Sequence, residues 1–194
     1  MNFPKLISGS WLGFFILWWI WALFNKKARR GGSWRSRAWR MRLALIAVVF
    51  LMMQLGRLPG LAAWLARHGR ELRPPGPPWQ WAGYALCLAG FLFAIWARRY
   101  LGGNWGIPMS LRQDHELVTS GPYAHVRHPI YSGLMLSGLG TVLALGPLWL
   151  AVVVIAGVFF VYSARTEERM LREQFPQAYP AYQARTRMLI PFVL

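Results

Sequence analysis

The chain has 194 residues, of which 56% are hydrophobic and only 14% are charged, yet its formal net charge is +16. A soluble domain usually carries about 25% charged residues, so this composition excludes an ordinary soluble domain. Charged residues are few and mostly basic if apolar helices lie in lipid and basic residues lie in the loops between them. The positive charge then needs no nucleic-acid partner to explain it, and we expect none. The sequence therefore predicts an all-α, polytopic membrane protein that forms one integral-membrane domain over residues 1–194.

A helix needs roughly 20 mostly apolar residues to cross a bilayer. Five stretches reach or approach this length: Ile7–Phe24, Leu43–Leu55, Trp79–Ala97, Ile130–Leu145 and Leu148–Ser163. Only Gly146-Pro147 separates the last two, and this helix-breaking dipeptide predicts a tight helical hairpin. The following segment, Arg165–Phe175, has helical character, and we expect Pro176 and Pro180 to interrupt it.

The basic residues test this five-span topology. Of the 22 Lys and Arg residues, the topology places 17 on one side of the membrane and five on the other. Because short cytoplasmic loops are enriched in Lys and Arg, the asymmetry predicts an outer N-terminus and a cytoplasmic C-terminus. The sequence shows no signal for retention in the endoplasmic reticulum, so we expect a bacterial inner membrane.

The ionisable residues of the second half gather at one predicted membrane edge. Arg127-His128 stands immediately before Pro129, which suits the first position of the fourth span. Helix N-termini attract anions, so a cationic pair there can clamp a carboxylate or phosphate. The alternative is that both residues only face lipid headgroups.

A second group, Glu167-Glu168, follows the fifth span. Adjacent carboxylates can accept hydrogen bonds from ribose hydroxyls or bind an ammonium group, but they can equally balance arginines three or four residues away. The single cysteine, Cys87, lies in an apolar run without metal-ligand spacing. We therefore expect no metal and no internal disulfide.

Three motifs occur in a fixed order along the second half of the chain. They are Gly121-Pro122-Tyr123, then Arg127-His128-Pro129-Ile130-Tyr131-Ser132-Gly133, then Glu167-Glu168. A tail from Phe175 to Pro191 follows. This set resembles the isoprenylcysteine carboxyl methyltransferase family and its relatives among phospholipid N-methyltransferases. The resemblance covers roughly residues 100–194 and departs from the family at Pro176, where glycine is frequent.

The resemblance implies S-adenosylmethionine as methyl donor, bound by the C-terminal hairpin, the loop before it and a cytoplasmic tail. The residues that it places around this cofactor are His115, Leu117, Tyr123, Arg127, His128, Tyr131 and Glu167. It makes Arg165 and Glu168 the candidates that orient the methyl acceptor. Residues 1–78 then contribute N-terminal spans without signature, and 79–194 hold the third span, the catalytic loop, the hairpin and the tail.

The resemblance also implies a lipophilic acceptor that enters from the bilayer, with membrane lipids as neighbours. Isoprenylcysteine carboxyl O-methylation is the most similar reaction, and a phospholipid amine or a thiol are alternative acceptors. Two other functions stay open, an NADPH-dependent sterol-type reductase and a non-enzymatic lipid-binding protein. A transporter is disfavoured because its ionisable groups would lie near mid-membrane rather than at one edge.

Overall fold

The computed structural model describes residues 2–23, 76–102 and 116–190, and within these ranges the chain is almost entirely helical. Its α-helices are α1 (Phe3–Leu23), α2 (Pro77–Leu101), α3 (Pro129–Leu145), α4 (Leu150–Gln174) and α5 (Ala178–Arg185). Short 3-10 turns at Gly121–Ala124 and Pro147–Trp149 precede α3 and α4. The prediction of an all-α membrane protein is therefore confirmed.

Three described helical segments are long and apolar enough to cross a membrane, namely Phe3–Trp21, Pro77–Leu101 and Pro147–Gln174. The apolar helix α3 is shorter, with 17 residues. These helices correspond to the first, third, fifth and fourth predicted spans in turn. The predicted second span, Leu43–Leu55, lies outside the described residues.

Proline and glycine set the helix boundaries. Pro77 and Pro129 open α2 and α3, where a missing N–H breaks no helical hydrogen bond. α3 ends at Gly146, whose φ of 106° is unfavourable for a residue with a side chain. The predicted break between the hairpin helices is thus present.

Helix α2 packs against antiparallel α3 with the two backbones almost touching. A Cβ atom at Gly83 would lie 2.5 Å from the amide nitrogen of Ala144, and one at Gly133 would lie 2.7 Å from the carbonyl oxygen of Gly90. Small residues allow this approach, and van der Waals contact then holds membrane helices together. The Ser137 hydroxyl adds a hydrogen bond of 3.0 Å to a carbonyl oxygen of α2.

Helix α1 runs parallel to α2. Phe3 contacts Trp81 near the start of both helices, and Arg98 donates a hydrogen bond of 3.0 Å to the Trp18 carbonyl near their ends. The end of α1 and the start of α2 therefore lie at opposite ends of the bundle, as a topology with one intervening span requires. The Trp11 indole also donates a hydrogen bond, 3.0 Å long, to the hydroxyl of Thr141 on α3.

One tail expectation is confirmed and one needs correction. The helical character predicted for Arg165–Phe175 is confirmed: α4 continues eleven residues past Ser163, to Gln174, because Arg165–Gln174 contains no glycine or proline and is rich in helix-forming residues. Pro176 lies in the turn after α4, as expected. Pro180 does not interrupt a helix, since it is the third residue of α5, where the first turn has no partner for its N–H.

Candidate functional site

The ordered motifs of the sequence meet where α3 begins, beside the last three turns of α4. His128 is the residue that caps the N-terminus of α3, with Arg127 just before it, so the predicted position of this pair is confirmed. The loop that leads to them turns sharply at Gly121, whose φ is 59°. A side chain at that position would also collide with the ring of Tyr100.

Arg127 links this loop to α4 and to the tail. Its Nε donates a hydrogen bond of 2.7 Å to Glu168 Oε1, and both side chains are at most a tenth exposed. Its Nη1 donates to the carbonyl oxygens of Gln183 (3.3 Å) and Thr186. Those carbonyls lie at the end of α5, where helical carbonyls lack partners and a cation is stabilising. Arg127 therefore holds three segments together.

His128 lies between two carboxylates. Its Nδ1 is 3.4 Å from Glu167 Oε2, and its Nε2 is 3.5 Å from Glu168 Oε1 without forming a hydrogen bond. Burial by itself lowers the pKa of the imidazole, but the two nearby carboxylates, Glu167 and Glu168, outweigh this effect and raise the pKa above its ordinary value. The cationic form of His128 is thus favoured.

Tyr131 positions the other glutamate. Its hydroxyl donates a hydrogen bond of 2.7 Å to Glu167 Oε1. Its ring stacks on His128 at 5.6 Å and on Phe160 at 4.9 Å between centroids. An aromatic stack therefore runs from the loop across α3 to α4, with the carboxylate of Glu167 at its polar edge.

The tail closes over this group of residues. Arg127 and His128 donate backbone hydrogen bonds of 2.8 and 3.0 Å to the carbonyl oxygens of Arg187 and Met188. The Tyr182 hydroxyl donates one of 2.6 Å to the Tyr123 carbonyl. Burial raises the pKa of Tyr182 to about 12, so this hydroxyl stays protonated as a donor near neutral pH.

Six predicted site residues form one cluster: Tyr123, Arg127, His128, Tyr131, Glu167 and Glu168. Leu117 is half-buried in the irregular segment before the Gly121 turn. Arg165 is exposed on α4. His115 lies outside the described residues. The role predicted for each residue stays a prediction.

The sequence reasoning missed the contribution of α5. Its Tyr179, Tyr182, Gln183 and the adjoining Thr186 follow a spacing of three and four residues, which places them on one helix face. That periodicity was the available signal. Gln183 donates a hydrogen bond of 3.0 Å from Nε2 to Glu168 Oε2, which makes it the most direct addition to the predicted set.

Some buried polar atoms of this region have no hydrogen-bond partner among the described residues. They are His128 Nε2, Ser163 Oγ and Tyr179 OH. Buried polar groups in folded proteins are nearly always paired, so these atoms are positions where a water molecule or a polar ligand can bind. Within the same described ranges, no three His, Cys, Asp or Glu side chains are grouped to hold a metal ion.

Comparison with known proteins defines the class. The family described as phospholipid methyltransferase matches residues 79–178 of this chain. That match covers more than half of the chain and includes α2, the Arg127-His128 loop, the hairpin and Glu167-Glu168. The chain therefore belongs to the phospholipid methyltransferase family.

Curated relatives agree with the resemblance drawn from the motifs. The protein-S-isoprenylcysteine O-methyltransferase of Tribolium castaneum is 33% identical over 115 residues, which are 57% of this chain and 41% of the relative. The protein-S-isoprenylcysteine O-methyltransferase B of Arabidopsis thaliana is 35% identical over 89 residues, 45% of each chain. The cobalt-zinc-cadmium resistance protein of Cupriavidus metallidurans is 33% identical over 111 residues, 56% of this chain and 46% of the relative.

A solved structure shares the fold. The eukaryotic intramembrane Ras methyltransferase, an isoprenylcysteine carboxyl methyltransferase, superposes with a TM-score of 0.55 at 25% identity. The superposition covers 79% of this chain and 53% of that protein. This chain thus spans about half of the proteins it resembles, and it is an integral membrane protein of the same helical type.

Proposed function

We propose that this protein transfers a methyl group from S-adenosylmethionine to a lipophilic acceptor at the membrane. The observation that carries the proposal is the convergence of Arg127-His128 with Glu167-Glu168. These two pairs lie some 40 residues apart in sequence, yet they share buried hydrogen bonds and ion pairs at one end of the bundle. Clusters of buried titratable groups are more frequent at functional sites than elsewhere.

The residues present suit this methyl donor. S-adenosylmethionine carries an amino-acid end, ribose hydroxyls and an electrophilic methyl group on a sulfonium cation. His128 Nε2 and Tyr179 OH are buried polar atoms without a partner among the described residues, so they can hydrogen-bond to a polar ligand. Glu167 can accept hydrogen bonds from hydroxyl or ammonium groups, and aromatic faces attract a cation by about 0.5–2 kcal/mol.

This chain's contribution to catalysis would be binding, alignment and exclusion of water. Alignment of two reactants alone contributes several kcal/mol to a rate. Tyr131 fixes Glu167 through its hydroxyl, and the tail covers the loop that carries His128. In this proposal, Arg165 and Glu168 orient the acceptor, as the family resemblance implies, although Glu168 already binds Arg127 and Gln183 within the protein.

The acceptor we propose is an isoprenylcysteine carboxylate. Both isoprenylcysteine O-methyltransferases named above are similar to this chain over 89–115 residues, and the solved structure belongs to the same kind of enzyme. A carboxylate is also already a nucleophile at neutral pH, so its methylation needs no enzyme base. The second candidate is a phospholipid amine, because the family that matches residues 79–178 is described as phospholipid methyltransferase.

The first experiment is a calorimetric titration of the detergent-purified protein with S-adenosylhomocysteine, the product of any such transfer. Saturable binding that is lost in Glu167→Ala and in His128→Ala supports both the donor and the site. Tyr162→Phe, on an exposed position of α4, serves as the control that retains affinity. Folded protein that binds NADPH and not S-adenosylhomocysteine would replace this proposal with the reductase.

A second experiment separates the acceptors. Transfer of a radioactive methyl group is measured to a soluble farnesylated cysteine, to the same compound as its amide, and to phosphatidylethanolamine in mixed micelles. Labelling of the farnesylcysteine alone supports carboxyl O-methylation. Labelling of the phospholipid alone supports N-methylation instead.

We also propose that the chain lies in a bacterial inner membrane, with its N-terminus outside and its C-terminus in the cytoplasm, as the asymmetry of basic residues indicates. The candidate site would then face the cytoplasm. Cys87 is fully buried, so it provides a background with little reactivity towards thiol reagents. Gln177→Cys in the tail and Pro78→Cys at the start of α2 lie at opposite ends of the bundle. In intact spheroplasts, a membrane-impermeant maleimide is expected to label Pro78→Cys only, and labelling of Gln177→Cys only would reverse the orientation.

A further inference from the structure

The side chain of Gln183 joins two parts of the site that no motif connects. Its Nε2 donates a hydrogen bond of 3.0 Å to Glu168 Oε2, while its Oε1 accepts one of 3.1 Å from Arg172 Nε. Its backbone carbonyl separately accepts from Arg127 Nη1 at 3.3 Å. Gln183 therefore contacts both members of the buried Arg127–Glu168 pair.

The amide is well suited to this place because it donates and accepts at the same time. Glu168 Oε1 is bound by Arg127, and Arg172 Nη2 lies 3.8 Å from Oε2, beyond hydrogen-bond distance. The Gln183 amide is thus the hydrogen-bond donor to Oε2 among the described residues. With both oxygens held, the plane of the carboxylate is fixed.

The fixed carboxylate in turn faces His128. Glu168 Oε1 lies 3.5 Å from His128 Nε2, the atom that has no hydrogen-bond partner within the described ranges. If Oε2 lost its donor, Arg127 would still hold Oε1, but Oε2 could swing about the terminal bond of Glu168, which has a broad torsional preference. The position of the imidazole would then be less well defined.

We propose that Gln183 is a positioning residue, which orients Glu168, and through it Arg127 and His128, for ligand binding. This inference rests on the proposed function, because the ligand in the affinity test is S-adenosylhomocysteine. Gln183 does not touch the ligand in this proposal. What position 183 must supply is a hydrogen-bond donor aimed at Glu168.

Three substitutions test this requirement. Gln183→Met keeps length and helix preference but removes the donor, Gln183→Glu places a carboxylate against Glu168, and Gln183→Lys restores a donor. We expect the dissociation constant for S-adenosylhomocysteine to rise about tenfold in Gln183→Met, the loss of one hydrogen bond to a charged group. It should rise further in Gln183→Glu and stay within about threefold of wild type in Gln183→Lys. Gln177→Met, an exposed position at the start of α5, is the matched control.

Nuclear magnetic resonance of labelled histidine in the ligand-free protein provides an independent readout. The imidazole signals of His128 should move in Gln183→Met and stay in place in Gln177→Met. If they move while wild type binds no S-adenosylhomocysteine, the proposed function fails and the positioning role stands. Unmoved signals, or equal loss of affinity in all three position-183 variants, would overturn the positioning role.

Discussion

Arg127 and Glu168 are 41 residues apart in sequence and form a buried ion pair of 2.7 Å that connects the loop before α3 to α4. The same guanidinium reaches two carbonyl oxygens at the end of α5. Lysine carries the same charge but only a single, compact donor group, so it cannot reproduce this planar fork. The geometry therefore favours arginine over lysine at position 127.

We expect Arg127→Lys to loosen the tail while the membrane helices stay folded. The melting temperature in detergent should fall, and limited proteolysis should cut between α4 and α5 sooner than in wild type. Removal of the charge in Arg127→Met should cost more, up to about 3–5 kcal/mol, because the buried carboxylate of Glu168 loses the cation that binds it at 2.7 Å. Arg169→Lys, on an exposed position of α4, controls for substitutions of this type and should melt like wild type.

The contact between α2 and α3 gives a second prediction. In Gly133→Ala, the new methyl group would lie 2.7 Å from the Gly90 carbonyl oxygen and 2.8 Å from the Ala94 amide nitrogen. Both neighbours are backbone atoms and cannot rotate away, so we expect a loss of about 1–3 kcal/mol in folding free energy. The measurement is reversible unfolding in mixed micelles.

Gly9→Ala on α1 is the matched control, since a Cβ atom there meets nothing within 4 Å. It should leave stability unchanged or raise it by up to about 1 kcal/mol, because alanine favours helix over glycine. Equal stability of both variants would contradict the close approach of α2 and α3.

The positions of four helices were predictable because each is an apolar run bounded by glycine, proline or charge. Pro129 and Gly146, for example, mark both ends of α3 in the sequence itself. The helical character of Arg165–Gln174 was also predictable, although a polar helix outside a bilayer has no hydropathy signal, because the segment lacks glycine and proline. Sequence alone contains no distances between segments, so it did not show that this part of α4 lies beside Arg127.

The same limit applies to the site. The ordered motifs predicted that Arg127, His128, Tyr131 and Glu167 lie close together, and they do. They did not indicate that Arg127 would bind Glu168 and the end of α5, because ion-pair partners across 41 residues follow from the fold. Gln183 was missed for a related reason, since a polar residue on a short helix resembles many solvated positions until its partner is known.

Tyr131 allows the aromatic and polar parts of the site to be tested separately. Tyr131→Phe keeps the ring that stacks between His128 and Phe160 but removes the hydrogen bond of 2.7 Å to Glu167. A hydrogen bond to a charged group contributes about 1.5–3 kcal/mol. We therefore expect S-adenosylhomocysteine to bind roughly ten- to a hundredfold more weakly by calorimetry, with little change in secondary structure.

Phe160→Leu is the complementary variant, because it removes the outer ring of the stack and leaves Glu167 bonded. It should lower stability more than affinity. An unchanged affinity in Tyr131→Phe, with folding intact, would show that Glu167 does not contribute to ligand binding through this hydrogen bond.

His128 makes the stability of the protein depend on pH. Its pKa in the folded protein lies above the ordinary value of 6.5, because the two glutamates outweigh the effect of burial. A group with a raised folded pKa adds stability that is fully present below its unfolded pKa and is lost as pH rises through the folded value. The contribution of His128 should therefore be largest below pH 6.5 and decline through the neutral and mildly alkaline range.

The measurement is the melting temperature in detergent from pH 5.5 to pH 9 for wild type, His128→Gln and His125→Gln, a window that brackets the titration of histidine. The difference between wild type and His128→Gln should be greatest at the acidic end and shrink as pH rises. His125 is exposed on the same loop, so His125→Gln should follow the wild-type profile. Parallel profiles of all three proteins would mean that His128 stays neutral between Glu167 and Glu168, and the charge assigned to the site would have to be revised.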